Sequence, residues 1–391
     1  MANVIPLKDL CLIDITDGTH QTPTYVDDGY VFLSSKNVTS GVIDWENVMH
    51  IPESLHSELH KRIAPQKNDI LLAKNGTTGV AAIVDRDAIF DIYVSLALIR
   101  PDPKKVLPKY LLHAINSDTA KRFFNSHLKG IGVPNLHLTH IRETPINVPS
   151  FSEQKDIIAL LDKVDEIVSL RKQQIAKLDE LVKARFVEMF GDPVVGNEVS
   201  NKKQKIGDIA SVTKLAGFEF TKYIQYKDDG DIIMLRGLNC KKGHLVLDDI
   251  KWIDKETSDL LPRSKLYYGD ILMTYAGTIG DVALVDANDK YHLAPNVGKI
   301  TLHDKEQTNP VFLVHLFMYS NDYIMTFASQ VAQASINMEK IRNFEYYFPS
   351  AHLQHQFAAF VAQTDNQKLT IQASLAKLET LKKALMQKYF G

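Results

Sequence analysis

The sequence has only two cysteines in 391 residues, Cys11 and Cys240, and they lie far apart. Neither belongs to a C-x-x-C pair, so the sequence argues against a disulfide scaffold. Such sparse cysteine usage is typical of reducing compartments, and we therefore expect a cytoplasmic location.

The sequence also lacks long apolar runs and a strong excess of charge. No run approaches the roughly 18 apolar residues that a membrane span needs, and the first residues lack the pattern of a signal peptide. The net charge of −2 disfavours a uniformly basic nucleic-acid-binding protein. Any DNA-binding face must therefore be local. Five lysines stand against two acidic residues in 350–391, namely Lys368, Lys377, Lys382, Lys383 and Lys388.

Motifs for catalysis and for cofactor binding are absent as well. The sequence has no phosphate-binding P-loop, no dinucleotide G-x-G-x-x-G after a strand, no N-P-P-[FY] of adenine methylases and no H-E-x-x-H. No Cys, Asp or Glu near H-L-T-H (137–140) completes a metal site. The segment 17–20, Asp-Gly-Thr-His, is more plausible as a loop than as a nucleophile and its base. We expect no catalytic residue, no metal and no cofactor on this chain.

What the sequence does contain is a repeat of nearly its whole length. The phrase I-A-K-L-D-E-L-V-K-A-R-F at 175–186 returns as L-A-K-L-E-T-L-K-K-A-L-M at 375–386. Further shared positions are Pro149 and Pro349, Gln154 and Gln354, and Gly191 and Gly391. The pattern predicts two helices of about 38 residues, each ended by a glycine, with Ser150 or Ser152 capping the first.

The segments before the helices repeat too. D-I-L-L-A-K-N-G-T-T-G at 69–79 matches D-I-L-M-T-Y-A-G-T-I-G at 270–280, and 27–41 matches 228–243 with one inserted residue. Short apolar and β-branched runs bounded by Gly, Asp and Asn predict strands in both segments. A helical stretch is predicted near the end of each, over 108–126 and over 309–329.

These patterns predict an α+β fold, with two β-rich globular domains in a pseudo-two-fold duplication and two long helices that separate them. The predicted segments are 1–150, 151–191, 192–349 and 350–391. A heptad pattern places an interrupted apolar seam on the helices. The seam residues are Leu161, Val168, Ile175, Leu178, Val182, Val361, Ile371, Leu375, Leu378 and Leu385.

The interruptions of the two seams do not coincide. Lys368 stands where the first helix has Val168, and Arg171 stands where the second has Ile371. This favours a coiled coil between the two helices of one chain. A coiled coil between two chains is the alternative.

The order and spacing of these motifs resemble the specificity (S) subunits of type I DNA restriction–modification systems. The resemblance rests on P-S-F-S-E-Q at the first helix start, on the basic K-L-D-E-L-V-K-A-R-F tail, on the D-I-L…G-x-x-G hairpins and on G-I-G-V-P-N-L at 130–136. It covers essentially the whole chain. In the second helix Leu353 replaces the usual Glu, which stands at Glu153 in the first, so only the glutamine is common.

The resemblance implies a non-catalytic subunit with two target-recognition domains, each of which reads one half-site of a split double-stranded DNA target. It implies antiparallel long helices that set the half-site spacing and help to dock two methylation subunits. Those subunits would use S-adenosylmethionine to methylate adenine at N6. Two motor-nuclease subunits that use ATP and Mg would complete the restriction enzyme.

Arg, Lys, Asn, Gln and small hydroxyl side chains read base edges, so polar loop residues are the candidates for DNA contact. In the first half they are Thr19, His20, Gln21, Ser35, Lys36, Asn37, Lys74, Asn75, Thr77, Thr78, Asn135 and His137. In the second half they are Lys222, Arg236, Asn239, Lys241, Lys242, Thr274, Tyr275, Thr278, Asn296 and Asn337.

These loops differ where the frame agrees, for example Lys36 against Gly237 and Asn75 against Ala276. Two domains that read different half-sites would differ in this way, and so would two domains that had drifted neutrally. The alternative function is a scaffold of two binding modules held apart by a coiled coil, without DNA specificity.

Overall fold

The computed structural model describes residues 3–128, 134–200, 202–329 and 334–391. The chain divides into two compact units. Unit 1 comprises residues 1–172 and 373–391, and unit 2 comprises residues 173–372. The structure mixes helices and strands, as predicted, but each long helix is shared between the two units instead of forming a segment of its own. Within the described residues, no helix has both the length and the apolar character needed to cross a membrane.

Unit 1 is built from short strands and helices, followed by the start of the first long helix. Its strands are β1 Val4–Pro6, β2 Thr16–Asp17, β3 Tyr30–Leu33, β4 Met49–Ile51, β5 Ile70–Ala73, β6 Ala81–Ile83, β7 Phe90–Ile92, β8 Leu96–Ile99 and β9 Pro145–Asn147. Its helices are α1 Glu53–Arg62, α2 Pro108–Ile115, α3 Asp118–Ser126, α4 Leu138–Arg142 and the first part of α5 Phe151–Phe190. The order β2-β8-β5-β6 forms one sheet, and β4-β3-β7 forms another in which β3 and β7 are parallel.

Strand β5 is apolar without alternation because both of its faces are covered. Ile70 and Leu72 pack in one core cluster with Tyr110 of α2, whereas Leu71 packs in another with Phe90 of β7. Successive side chains of a strand point to opposite faces, so a strand between two cores must be apolar at every position. The run D-I-L-L-A thus lies at the centre of unit 1.

Unit 2 has the same plan. Its strands are β10 Lys202–Lys205, β11 Ala210–Lys214, β12 Ile232–Leu235, β13 Cys240–Lys241, β14 His244–Leu245, β15 Lys251–Ile253, β16 Lys265–Leu266, β17 Ile271–Thr274, β18 Val282–Leu284, β19 Tyr291–Leu293, β20 Val297–Leu302 and β21 Glu345–Phe348. Its helices are α6 Ile206–Ile209, α7 Gly217–Tyr223, α8 Lys255–Asp259, α9 Pro310–Tyr319, α10 Asn321–Met325, α11 Met338–Arg342 and the first part of α12 Ala351–Phe390. The sheets β11-β20-β17-β18 and β15-β12-β19-β16 match those of unit 1, with β16 added at an edge.

The two helical stretches that were predicted as continuous are each interrupted by a serine. Ser117 separates α2 from α3, and its hydroxyl accepts a hydrogen bond from Ala120 N at 3.2 Å. Ser320 separates α9 from α10, and its hydroxyl donates to Leu316 O at 2.7 Å. Serine hydroxyls bond nearby peptide groups and so compete with the helix backbone, which periodicity alone does not reveal.

The glutamine common to both long helices ties each helix to the domain before it. Gln154 accepts from Leu107 N at 2.8 Å and donates to Pro149 O at 2.9 Å. Gln354 accepts from Asn309 N at 2.9 Å and donates to Pro349 O at 3.0 Å. Both glutamines are buried, so they satisfy peptide groups that would otherwise lack partners.

Within the described residues Glu153, unlike the glutamines, bonds only to residues at the start of its own helix. Its carboxylate accepts hydrogen bonds from the Ser150 hydroxyl at 2.7 Å and from Ser150 N at 3.0 Å, which forms a capping box at the start of α5. These hydrogen bonds lower the pKa of Glu153. Leu353 cannot form such a cap, and the second helix starts without it.

In unit 1 the end of the second long helix closes the core of the first half of the chain. Phe390 is only 7% exposed, and its ring centroid lies 5.1 Å from that of Tyr110. Lys382 of α12 pairs with Asp165 of α5, and Lys172 approaches Glu379 to 3.9 Å. The paired residue numbers rise along one helix as they fall along the other, so the two segments are antiparallel.

In unit 2 the end of the first long helix has the matching position. The buried ring of Phe186 lies 5.7 Å from that of Phe312 and 5.4 Å from that of Phe357. Lys368 of α12 contacts Asp179 of α5 at 2.7 Å. Burial would lower the pKa of Lys368, but its hydrogen bonds and charge interactions with carboxylates outweigh burial and raise it. The segments are antiparallel here as well.

The predicted seam residues all lie away from solvent to some degree. Leu161, Val182 and Val361 are buried, and the half-buried members are Val168, Ile175, Leu178, Ile371, Leu375, Leu378 and Leu385. Lys368 interrupts the apolar seam of the second helix, and Asp179 of the first helix compensates its charge.

Replacing Phe390 with alanine should loosen unit 1, although this residue lies at the far end of the chain. We expect a loss of about 3–5 kcal/mol, because a buried aromatic ring is removed and a cavity remains. Hydrogen exchange should show faster exchange within residues 3–128. The reciprocal variant Phe186→Ala should instead speed exchange within residues 202–329. If either variant loosened both segments equally, the assignment of each helix end to one unit would be wrong.

Candidate nucleic-acid interface

Most candidate residues of the first half lie on loops that meet beyond the ends of β5 and β8. Lys74 N donates to Ser95 O at 2.9 Å, and Leu136 N donates to Lys74 O at 2.8 Å. Ser35 N donates to the Ser95 hydroxyl at 2.9 Å, and Val94 N donates to Thr19 O at 3.0 Å. The loops brought together are 17–21, 34–37, 74–78, 93–95 and 134–137. Residues 130–133 of G-I-G-V-P-N-L lie outside the described residues.

The second half repeats this frame with different side chains. Tyr275 N donates to Asn296 O at 3.0 Å, and Ile336 N donates to Tyr275 O at 2.8 Å. Tyr275 therefore has the backbone position that Lys74 has in the first half. Lys74 is buried and pairs with Asp17 at 3.1 Å, whereas the Tyr275 ring lies under the Lys214 ammonium at 5.3 Å.

A groove of about 520 Å³ lies between the loops of the second half. The side chains that line it include Phe220, Tyr226, Arg236, Leu238, Lys241, Thr278 and Asn296. Arg236 donates to the Asp249 carboxylate at 2.7 Å, and Lys241 donates to Asp281 at 3.1 Å. The groove combines oriented cations, amide and hydroxyl groups with aromatic faces. These are the groups that read base edges and stack on bases.

Two candidate asparagines are explained by loop structure. The amide of Asn37 donates to Asp44 O and Asn47 O, and its carbonyl accepts from Ser34 N at 2.9 Å. Asn239 likewise donates to Val246 O and Asp249 O and accepts from Arg236 N at 3.0 Å. Both are buried with their hydrogen-bonding groups engaged, which leaves no free edge for a base.

The equivalence of Asn37 and Asn239 also corrects the alignment of the two loops. Tyr30 pairs with Ile51 as Ile232 pairs with Ile253, so the inserted residue is Asp231, before β12. Lys36 therefore corresponds to Leu238 and not to Gly237.

The other candidates are hydrogen-bonded within the protein, half-buried or exposed. The Thr274 hydroxyl bonds the Thr278 carbonyl inside the hairpin, and Asn337 caps α11 through Lys340 N at 2.8 Å. Half-buried candidates are Thr19, Ser35, Asn75, Thr78, Asn135, Arg236 and Tyr275. Exposed candidates are His20, Gln21, Lys36, Thr77 and His137 in the first half and Lys222, Lys241, Lys242, Thr278 and Asn296 in the second.

Comparison with known proteins adds the decisive observation. Residues 2–180 and 198–382 each match the model of the type I restriction modification DNA specificity domain. The chain belongs to this family. The family resemblance predicted from the sequence is thus confirmed, and each match covers one strand-rich half with most of the long helix that follows it.

Two relatives in this family have low sequence identity to the chain, but they align with most of its length. The chain is 25% identical over 312 residues to the type I restriction enzyme EcoBI specificity subunit of Escherichia coli, which covers 73% of this chain and 63% of that protein. It is 22% identical over 342 residues to the MjaVIII specificity subunit of Methanocaldococcus jannaschii, covering 84% and 79% respectively. The chain thus spans less than two thirds of the E. coli relative.

Solved structures show the same fold. A chain from a type I R-M system studied for complex assembly and conformational transition aligns with a TM-score of 0.61 and 17% identity, covering 99% of this chain and 97% of that one. The type I restriction-modification S subunit from M. genitalium aligns with a TM-score of 0.55 and 13% identity, covering 100% and 96%. At these identities the likeness concerns the fold alone.

In this specificity-domain protein, sequence reasoning overlooked a pair of tyrosines. Tyr25 and Tyr226 each stand two residues before a D-D-G, and they are 41% and 40% exposed. Burial of the remaining ring surface raises the pKa of both phenols. Tyr226 lines the groove beside Arg236. The repeated Y-x-D-D-G is the sequence signal that could have identified both tyrosines. Phe220, which also lines the groove, has no such signal in the sequence.

A stability measurement should distinguish buried polar residues that hold the loops from exposed polar residues that line the groove. Asn239→Ala should lower the free energy of unfolding by about 2–3 kcal/mol, because buried peptide groups lose their partners. Thr278→Ala, at an exposed position of the groove, should change it by less than about 0.5 kcal/mol. Urea denaturation measures both. If Asn239→Ala were as stable as the parent, Asn239 would be free to read DNA.

Proposed function

We propose that this chain is the non-catalytic, DNA-reading specificity subunit of a type I restriction–modification complex, and that each strand-rich half reads one half-site of a split target. The carrying observation is that the two halves place unlike side chains on one backbone frame. Lys74 and Tyr275 occupy equivalent positions, as do Asn75 and Ala276. Different side chains on a common frame select different bases.

The groove of the second half supports direct reading of base edges. Arg236 presents a planar guanidinium, which suits the two acceptors of guanine in the major groove. Asn296 is exposed on the opposite loop and is held in a left-handed conformation with φ of 68°. The ion pair with Asp249 orients the Arg236 side chain before DNA binds. When a base replaces Asp249 as the partner, the arginine therefore loses little conformational freedom.

We propose further that α5 and α12 pair over their whole length as an antiparallel coiled coil. Lys368 and Lys382 are two heptads apart on α12, and their partners Asp179 and Asp165 are two heptads apart on α5 in reverse order. One register therefore accounts for both ion pairs. Each helix has 40 residues and is about 60 Å long at 1.5 Å per residue. A rigid pair of this length sets one distance between half-sites.

The long helices also carry apolar side chains that support docking of partner subunits. Those that are exposed include Leu160, Leu170, Leu181, Leu369 and Leu381, at 39% to 62%. A partner subunit that covered these side chains would bury apolar surface, which favours docking. The proposed partners are two methylation subunits and two motor-nuclease subunits, which would bind S-adenosylmethionine, ATP and Mg themselves.

Exchanging one domain tests the proposal. Residues 200–349 are replaced by the matching segment of another family member, and methylated sites are mapped in cells that also produce the methylation subunit. One half-site should change, while the other half-site and the spacer stay the same. Simultaneous change of both half-sites would refute independent reading. Loss of every dependence on sequence would favour the non-specific scaffold.

Point variants give a matched control within the native chain. Arg236→Ala should reduce methylation only through the half-site read by unit 2. The loss expected is about 1–3 kcal/mol if the arginine pairs with guanine. Lys36→Ala should affect only the other half-site.

A further inference from the structure

Three side chains of unit 1 form a cluster that the proposed function does not use. His56 and His60 are one turn apart on the same face of α1, and Asp91 lies on β7, against which α1 packs. One possible ligand atom from each residue lies within 4.8 Å of those from the other two. Two histidines and a carboxylate are a common ligand set for zinc.

The polar groups of this cluster are only partly satisfied. The Asp91 side chain is 2% exposed, and its Oδ2 lies 2.7 Å from His56 Nδ1. Its other oxygen, Oδ1, is buried and faces His60 Nδ1 at 3.5 Å. Neither Asp91 Oδ1 nor His60 Nδ1 makes a hydrogen bond within the part of the chain that the structure describes. A buried carboxylate oxygen without a donor is costly, and a cation between the two atoms would satisfy both.

The distance of 3.5 Å between Asp91 Oδ1 and His60 Nδ1 also suits a metal ion. Nitrogen and oxygen ligands at about 2.0–2.1 Å from a tetrahedral zinc ion lie roughly 3.3 Å apart, close to the distance between Asp91 Oδ1 and His60 Nδ1. The Tyr30 ring stacks on the His56 ring at 3.7 Å with an interplanar angle of 9°, which fixes the imidazole in place. His60 is 32% exposed in its side chain, so an ion can reach the cluster from solvent.

We propose that His56, His60 and Asp91 form a binding site for a divalent transition metal ion of the zinc type, with the fourth position open to water. The ion would join α1 to β7. Arg62, at the end of α1, donates to Asp17 O at 2.9 Å. The site therefore stiffens the base of the loop 17–21.

The second half of the chain provides an internal comparison. Strand pairing aligns Asp91 with His292, and the helix positions of His56 and His60 fall on Ser258 and Pro262. Both ring nitrogens of His292 lie within 3.1–3.3 Å of the backbone carbonyl oxygens of Leu293 and Leu261. We therefore expect one site per chain and not two.

Metal uptake by the full-length chain tests this proposal independently of DNA recognition. The purified chain is stripped with a chelator and titrated with Zn²⁺ by calorimetry, and with Co²⁺ by absorption of its d–d bands. We expect one equivalent of each ion and the intense visible bands of a four-coordinate cobalt site. His60→Gln should weaken zinc binding by at least about tenfold, and Asp91→Asn should do the same. His352→Gln, which removes an exposed histidine elsewhere, should bind as the parent does.

Thermal unfolding distinguishes a variant that has lost metal binding from a variant that no longer folds. Saturating Zn²⁺ should raise the Tm of the parent and of His352→Gln, because the ion binds only the folded state. It should leave the Tm of His60→Gln unchanged, even though that variant folds. Failure of the parent to bind one equivalent of Zn²⁺, or full affinity in His60→Gln, would overturn the proposal and leave a hydrogen-bonded histidine–aspartate pair.

Discussion

The packing of each long helix against the end of the other determines the organisation of both units. Phe390 completes a core whose other members lie in the first 161 residues of the chain and the last few, and Phe186 completes the core of the second half. Burial of such rings contributes several kcal/mol each. The ion pairs between the helices are partly exposed and contribute no more than about 1 kcal/mol each. The aromatic contacts therefore contribute more to the stability of the units than the ion pairs do.

A second constraint separates polar residues that hold the frame from those that are free to vary. Gln154 and Gln354 bond equivalent peptide groups in the two units, and Asn37 and Asn239 hold equivalent loops. These residues are identical because the frame requires them. Lys74 and Tyr275 share a backbone position without sharing chemistry. Variation at such positions gives the two halves chemically different surfaces on one fold.

Much of this organisation could be predicted from the sequence, because the repeat preserves the spacing of the helices, hairpins and glutamine pair. The long helices, the strand-rich halves and the family followed from it. The breaks at Ser117 and Ser320 did not, because a hydroxyl that bonds the backbone leaves apolar periodicity intact. The structural role of Asn37 and Asn239 depends on peptide groups ten residues away. The cluster of His56, His60 and Asp91 escaped notice because sheet pairing, not sequence proximity, brings the aspartate to the helix.

The central claim is that the paired helices hold the two recognition domains at a fixed distance. Inserting seven residues into both helices, after Lys172 and after Gln372, preserves the heptad phase and adds about 10.5 Å. Mapping of methylated sites should then show both half-sites unchanged and an unread spacer longer by about three base pairs, at 3.4 Å per pair. The same insertion in α5 alone should abolish methylation, because the partners on α12 fall out of register. Methylation of the original spacer at full efficiency by the double insertion would contradict the account.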